Sequence, residues 1–318
     1  MKIISLFNHK GGVSKTTTAY HLAWKMTQKG YKVLMVDTDS QCNLSLTAIG
    51  EDNFEQFLVE NGTNNIKDAL SVAFKSRPQL IPVPDCPNIR GNERLFLLPG
   101  SFEITEYEVQ LGVSFQLNKS FSTMESLPGS FYYLIKECAE KYQIDYVIID
   151  MNPSLSAINQ DLISISDFFI LPTSPDYFSH MALKSIARIL PQWEQWAIYA
   201  RIAFADSTYP LPNIKPKFLG YTVNDFNIRN GKPTAAFSGI IKKTTDIIND
   251  TLYPSLEPLG MVIPRNKYKD QNLCLAKLSN FQHLGPKYQE FGLPVFVLSE
   301  QQIGTTGPIL EGHLEKQK

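Results

Sequence analysis

The segment Lys10-Gly-Gly-Val-Ser-Lys15-Thr16-Thr17 constrains this chain more than any other. An apolar, β-prone stretch, Ile3-Ile4-Ser5-Leu6-Phe7, runs into it. After it Ala19, Leu22, Ala23 and Met26 recur at i, i+3, i+4 and i+7, as on the buried face of a helix that Gly30 closes. A strand, a glycine turn and a helix N-terminus in that order aim several backbone N–H groups and the positive helix end at one point. That geometry binds phosphate. The common spacing G-x-x-x-x-G-K-[ST] does not fit, because its two glycine positions, counted back from Lys15, hold His9 and Ser14. Two lysines bracket a Gly-Gly pair instead.

Acids follow at the tips of two further apolar runs. Lys32-Val-Leu-Met-Val-Asp37-Thr-Asp39-Ser-Gln41 reads as a buried strand ending in two carboxylates on alternate positions. Asp145-Tyr-Val-Ile-Ile-Asp150 reads as a second, also ending in an acid. Carboxylates at the ends of buried parallel strands lie in the crevice where α/β proteins bind ligands. A lone terminal Asp is more often a cap or a turn residue, but three beside a phosphate loop call for another account.

The loop has the deviant Walker A form K-G-G-x-x-K-[ST], and here the sequence resembles the ParA/MinD family of ATPases. Ser14 stands where that family usually has glycine. Asp37-x-Asp39-x-Gln41 resembles the family's second motif, and Asp150-Met-Asn-Pro-Ser154 its D-x-P-P-S segment, with Asn152 in place of one proline. Leu171-Pro-Thr-Ser-Pro-Asp176-Tyr-Phe178, Ile263-Pro264-Arg265-Asn266 and Gly292-Leu-Pro-Val295 resemble later family segments, the last leading into a final strand. The stretches 76–93, 111–127, 193–214 and 267–288 match poorly and read as insertions in one ATPase domain spanning 1–318.

Strands are expected at 3–7, 32–37, 95–98, 145–150, 167–172, 217–223 and 294–298, and helices at 15–29, 66–75, 129–142, 179–190 and 235–252. This alternation implies an α/β fold: a mostly parallel twisted sheet with helices on both faces and right-handed crossovers. At 318 residues and 43% hydrophobic, the chain is long and apolar enough to bury a full core. A net charge of -1 argues against nucleic-acid binding through overall charge. Cys42, Cys86, Cys138 and Cys274 form no C-x-x-C pair, which suggests a reducing compartment and neither a zinc site nor the cluster-cysteine pattern of nitrogenase-iron-protein relatives. No run approaches the roughly 20 apolar residues of a membrane span, and a cytoplasmic, nucleoid-associated location is expected. The chain starts at its first core strand, so the resemblance is to the short form lacking an N-terminal helix-turn-helix domain.

Bound ATP would bring about four negative charges into one pocket. Lys15 is expected on the β- and γ-phosphates, the Thr16 hydroxyl on Mg²⁺, the amides of Gly11, Gly12, Val13 and Ser14 around the phosphates, and Thr17 near the α-phosphate. Asp150 is expected to hold Mg²⁺ through water, because that ion keeps much of its hydration shell. Asp39, by its match to the family, is the candidate to position the attacking water and is also counted among the metal-site residues. Asp37 supports the metal's outer shell or is a structural carboxylate. The resemblance implies a homodimer with ATP sandwiched, in which each Lys10 reaches the partner's phosphates as an arginine finger does. Pro264 and Arg265 resemble the family segment against the adenine, and Asn224 could reach the base edge. Asp176 and Tyr177 are candidates for a switch region behind the γ-phosphate.

What the resemblance implies for function is an ATP-dependent switch that binds nonspecific DNA and positions or segregates DNA or a protein cargo, with hydrolysis stimulated by a ParB-like or adaptor protein. The second half of the chain is locally rich in cations, among them Lys184, Arg188, Lys242 and Lys243, compatible with a DNA face or with ordinary solvated helices. Two alternatives stand beside it. A MinD-like, membrane-positioned ATPase would need a terminal amphipathic helix, and the tail 307–318 is broken by Pro308 and Gly312. A ligase or amidotransferase on the same scaffold would need a second substrate pocket, and no cysteine–histidine grouping is apparent.

Overall fold

Period-two alternation along apolar strands places this chain's residues on two faces of one sheet. Ile3 and Phe7, Leu34 and Val36, and Val147 and Ile149 enter one buried cluster, whereas Ile4 and Leu6, Val33 and Met35, and Ile148 enter the other. A sheet covered on both sides needs near-continuous apolar strands, and all five residues of Val33–Asp37 are buried. The computed structural model describes residues 1–60, 64–116, 124–229, 232–268, 272–282 and 284–304.

The first half of the chain forms β1 (Lys2–Leu6), α1 (Lys15–Gln28), β2 (Val33–Asp37), α2 (Asn43–Ile49), α3 (Glu51–Glu60), α4 (Ile66–Phe74), β3 (Asn88–Ile89) and β4 (Asn92–Leu98). The middle forms α5 (Glu108–Gln116), α6 (Leu127–Tyr142), β5 (Tyr146–Asp150), α7 (Ala157–Ser164), β6 (Phe168–Thr173) and α8 (Tyr177–Ala203). There follow β7 (Lys217–Phe226), β8 (Ile228–Arg229), β9 (Lys232–Pro233), α9 (Ala235–Ile247) and α10 (Tyr253–Leu256). Last come β10 (Cys274–Ser279), α11 (Leu284–Phe291) and α12 (Glu300–Ile303). The main sheet runs β10-β7-β6-β1-β5-β2-β4-β3, and β8 and β9 form a separate ribbon. Every pairing in the main sheet is parallel except β3 with β4. The expected α/β architecture is therefore the one observed.

Register positions the site. Asp150 lies opposite Leu6 on β1 and opposite Asp37 on β2, so both acids reach the carboxyl edge where β1 leads into the glycine turn. The chain passes from one side of β1 to the other between β5 and β6, and α/β folds open a ligand crevice at such a switch point.

Two elements depart from expectation. Residues 294–298 form a turn, with the Val297 amide on the Pro294 carbonyl, and the sheet edge goes to β10 paired with β7. Val295 and Leu298 are buried against the α1 side of the sheet, so the run is apolar because of packing rather than strand pairing. Helix α8 does not stop at 190 but continues through Pro191 to Ala203. A proline costs a helix interior about 3 kcal/mol. Here Leu190, Trp193, Ala197 and Ala200 carry one buried face across it, and that packing offsets the loss. The stretch 267–288 contains β10 and the start of α11, and β10 forms one edge of the main sheet.

Candidate nucleotide site

The turn between β1 and α1 is held from three directions. The Asn8 side chain, fully buried, donates to the Pro172 carbonyl at 2.8 Å and accepts from the Lys10 amide at 3.0 Å. The Asn224 amide donates to the Val13 carbonyl at 2.9 Å and to the Thr18 hydroxyl at 3.1 Å. The Ser174 hydroxyl meets the Gly12 carbonyl at 3.4 Å. Gly12 has φ +69°, a conformation that glycine adopts at no steric cost. Ser14 also lies in the left-handed region, at φ 59° and ψ 38°, and its side chain does not cap α1.

A Cβ in that region costs roughly 1–2 kcal/mol, against which glycine loses about 0.5–1 kcal/mol of chain entropy on folding. Ser14→Gly is therefore expected to stabilise the nucleotide-free protein by about 0.5–1 kcal/mol in urea unfolding. An equal or lower midpoint would show that the serine conformation is not strained.

Over the turn lies a cavity of about 630 Å³. Residues 11–17 form its floor, with Asp39 and Gln41 beyond β2, Asn43, Leu46 and Thr47 of α2, Pro153, and Tyr288 and Gln289 of α11. Lys15 is buried beneath it, and among the described residues its ammonium has only the Lys10 carbonyl, at 3.3 Å. Burial lowers the Lys15 pKa, and the Asp150 and Asp39 charges oppose the shift. Asp150 is fully buried, and among the described residues neither of its oxygens has a hydrogen-bond partner. Burial and then the neighbouring Asp37 charge push its carboxyl up to about 8, partly offset by Thr16 and Lys15. A buried cation and a buried, unpartnered carboxylate are groups prepared for a charged ligand.

Asp37 is spent differently. Its Oδ2 accepts from the Ser45 amide at 2.8 Å and hydroxyl at 2.7 Å, and its Oδ1 from the Asp39 amide at 3.2 Å. It thus serves the first turn of α2 as a buried capping carboxylate, and burial raises it to about 6. Asp39 lines the cavity, with Oδ1 accepting from the Gln41 amide at 3.0 Å. Among the described residues no three His, Cys, Asp or Glu side chains form a ready-made metal cage. That donor set suits Mg²⁺, which binds through one or two protein groups, water and phosphate.

Lys10 lies apart from Lys15. Its ammonium pairs with Asp176 Oδ2 of the same chain at 2.5 Å, while Asp176 Oδ1 caps α8 by accepting from the Ser179 amide at 2.9 Å.

Three expected base contacts are not brought to the cavity. Asn224 is buried and turned onto the phosphate turn instead. Val262 bridges Phe218 near the amino end of β7, away from the crevice, and Pro264 and Arg265 follow it. The Arg265 guanidinium is bonded to the Asn249 side chain at 2.6 Å and lies 4.2 Å from the centre of the Tyr253 ring. Helix α11 instead brings Tyr288 and Gln289 to the cavity wall, which sequence reasoning missed, as it missed Asn8. The Tyr288 hydroxyl lies 3.0 Å from that of Thr17.

Lys184 and Arg188 on α8 and Lys242 and Lys243 on α9 are exposed, and these helices pack together. His180 lies buried between the helices, its Nε2 at 3.1 Å from the Thr244 hydroxyl, and burial lowers its pKa, the Lys243 and Lys184 charges adding to the effect. No ion pair among the described residues includes any of the four cations. The side chains of Arg229 and Lys232, residue Lys269 and the tail 307–318 lie outside the described residues. No helix among the described residues is long and apolar enough to cross a membrane.

Comparison with known proteins agrees with this geometry. A family model described as AAA domain matches residues 1–197. An uncharacterized protein of Methanocaldococcus jannaschii is 26% identical over 83% of this chain and 85% of its own. The ParA family protein of Mycoplasma genitalium is 27% identical over 86% of this chain and 96% of its own. Among solved structures, nucleotide-free McdA of Cyanothece superposes with a TM-score of 0.63 at 18% identity, covering 100% of this chain and 98% of that one. ParA of pNOB8 bound to nonspecific DNA superposes with a TM-score of 0.54 at 21% identity, covering 88% and 84%. The two structures share its fold, the family model covers more than half of it, and the chain belongs to the AAA-domain family as a ParA/MinD-type P-loop ATPase.

Proposed function

We propose that this chain is an ATP-dependent dimerising switch that binds nonspecific DNA and positions DNA or a protein cargo, with a partner protein stimulating hydrolysis. The observation that carries it is the pair of lysines on one turn, Lys15 buried under the cavity and Lys10 held by Asp176, with Asp39 lining the cavity and Asp150 buried and unpartnered among the described residues.

In this reading the amides of residues 11–14 and the Lys15 ammonium hold the phosphates, and Thr17 meets the α-phosphate. The Thr16 hydroxyl and Asp150 would hold the magnesium ion, with Asp37 behind them keeping α2 and Asp39 in register. Bound Mg²⁺ neutralises charge between the terminal phosphates. Asp39, its carboxylate fixed by the Gln41 amide, orients the attacking water. Lys10 acts across a homodimer, delivering a cation in trans.

The pNOB8 ParA relative was solved on nonspecific DNA. Here Lys184, Arg188, Lys242 and Lys243 offer an unpaired basic surface across α8 and α9, and such surfaces carry sequence-independent affinity by releasing counterions from phosphates. Co-sedimentation with arbitrary duplex DNA at low salt tests the reading. ATP and Mg²⁺ are expected to bring the wild type down with DNA. Lys242→Glu with Lys243→Glu should leave it in the supernatant and lower the salt slope by about one unit per lost phosphate contact, with ATP affinity unchanged. Absence of ATP-dependent co-sedimentation by the wild type at low salt would overturn the DNA function.

A further inference from the structure

The α-phosphate end of the cavity can be located from the chain itself. Lys15 and Thr16 serve the outer phosphates and metal, and Thr17 is the next donor along α1. The Tyr288 hydroxyl meets Thr17, so α11 stands where the sugar and base of a nucleotide must continue. The wall is firmly set. His21 Nδ1 bonds the Thr17 carbonyl at 2.8 Å while its Nε2 accepts from the Val295 amide at 3.1 Å, which fixes one neutral tautomer. The His21 ring in turn lies edge-on to Tyr288 at 5.1 Å between centroids. Tyr20, one turn from Thr17, donates to the Gly292 carbonyl just beyond α11. Gln289 follows Tyr288, is exposed, and lines the same cavity. Its amide offers one donor and one acceptor side by side, the pattern that pairs with N6 and a ring nitrogen of adenine.

We propose that α11 is the nucleoside wall of this site: Tyr288, held by Thr17 and His21, flanks the sugar and α-phosphate, and the Gln289 amide reads the base edge and favours adenine. The inference rests on the nucleotide reading above and assigns base recognition to residues other than Asn224, Pro264 and Arg265.

Equilibrium binding to the full chain with Mg²⁺, using ATP, GTP and inorganic tripolyphosphate as probes, tests it. Gln289→Ala is expected to weaken ATP threefold to tenfold, to leave tripolyphosphate within twofold, and to narrow the preference for ATP over GTP. A Gln289→Ala protein that binds ATP as the wild type does, or that loses ATP and tripolyphosphate equally, overturns the assignment. The two readings fail differently: a wild type that binds neither ATP nor tripolyphosphate removes the phosphate site itself, and the nucleoside wall with it.

Discussion

Lys15→Ala is expected to weaken ATP binding by at least about 30-fold while the nucleotide-free protein still folds. In the free protein the Lys15 ammonium has one long contact, 3.3 Å to the Lys10 carbonyl, and burial already disfavours its charge. Little of the fold depends on it. Its loss leaves Asp150 and Asp39 without their nearest buried cation, and Asp150, raised to about 8 even with Lys15 present, retains its proton still more firmly. A triphosphate would then enter a pocket stripped of its main positive charge and lined by carboxyls. Truncating one partner of a buried charge pair costs 2–5 kcal/mol, which corresponds to a loss of at least about 30-fold and up to several thousand-fold in affinity. Titration calorimetry with Mg²⁺ and ATP checks binding, and urea unfolding of the nucleotide-free variant checks the fold. An affinity within threefold of wild type, in a variant that unfolds cooperatively, would contradict the assignment of this turn as the phosphate site.

Much of this site is written locally, and that is why it was legible. The Gly-Gly turn, its two lysines and the acids at the tips of β2 and β5 each sit within a few residues of an apolar strand, and parallel pairing leaves those tips at one edge. What escaped depends on distant packing. Residues 294–298 and a true core strand share the same apolar composition; the former is buried by α1 and the latter by pairing. Tyr288 reaches Thr17 across 271 positions, a juxtaposition no spacing encodes. The stretch holding it matches the family poorly, and its strand β10 leaves Leu275 41% exposed, so its sequence carries little core signal. Asn224 is instructive in another way. Tyr221 and Val223 face the larger core, so parity alone turns Asn224 to the opposite face, under α1 and the phosphate turn. The alternation was readable, and it points away from a base contact.

Lys10→Ala is expected to leave ATP affinity within about threefold and to remove partner-stimulated hydrolysis. In the free chain Lys10 is engaged by Asp176, not by the floor of the cavity, so its truncation takes nothing from the phosphate cradle. A cation supplied in trans at the transferring phosphate accelerates hydrolysis by 10³–10⁵, and on the proposed reading a loss of at least about 1,000-fold follows. Asp176→Asn is expected to move the system the other way. Burial pushes the Asp176 carboxyl up, but the Lys10 ammonium and the Ser179 amide together hold it below its usual value, so it is charged at neutral pH and retains the lysine. Asparagine keeps a good cap on α8 while dropping the charge. The pair is only partly buried, with side chains 20% and 37% exposed, and such pairs contribute roughly 0.2–1 kcal/mol. Releasing Lys10 should therefore raise the association constant of the ATP-bound dimer by about 1.4-fold to fivefold in sedimentation velocity. Single-turnover hydrolysis and sedimentation of both variants decide the matter: undiminished stimulated turnover in Lys10→Ala removes the lysine from the mechanism, and a dimer fraction that does not rise in Asp176→Asn shows that the intrachain pair does not compete with assembly.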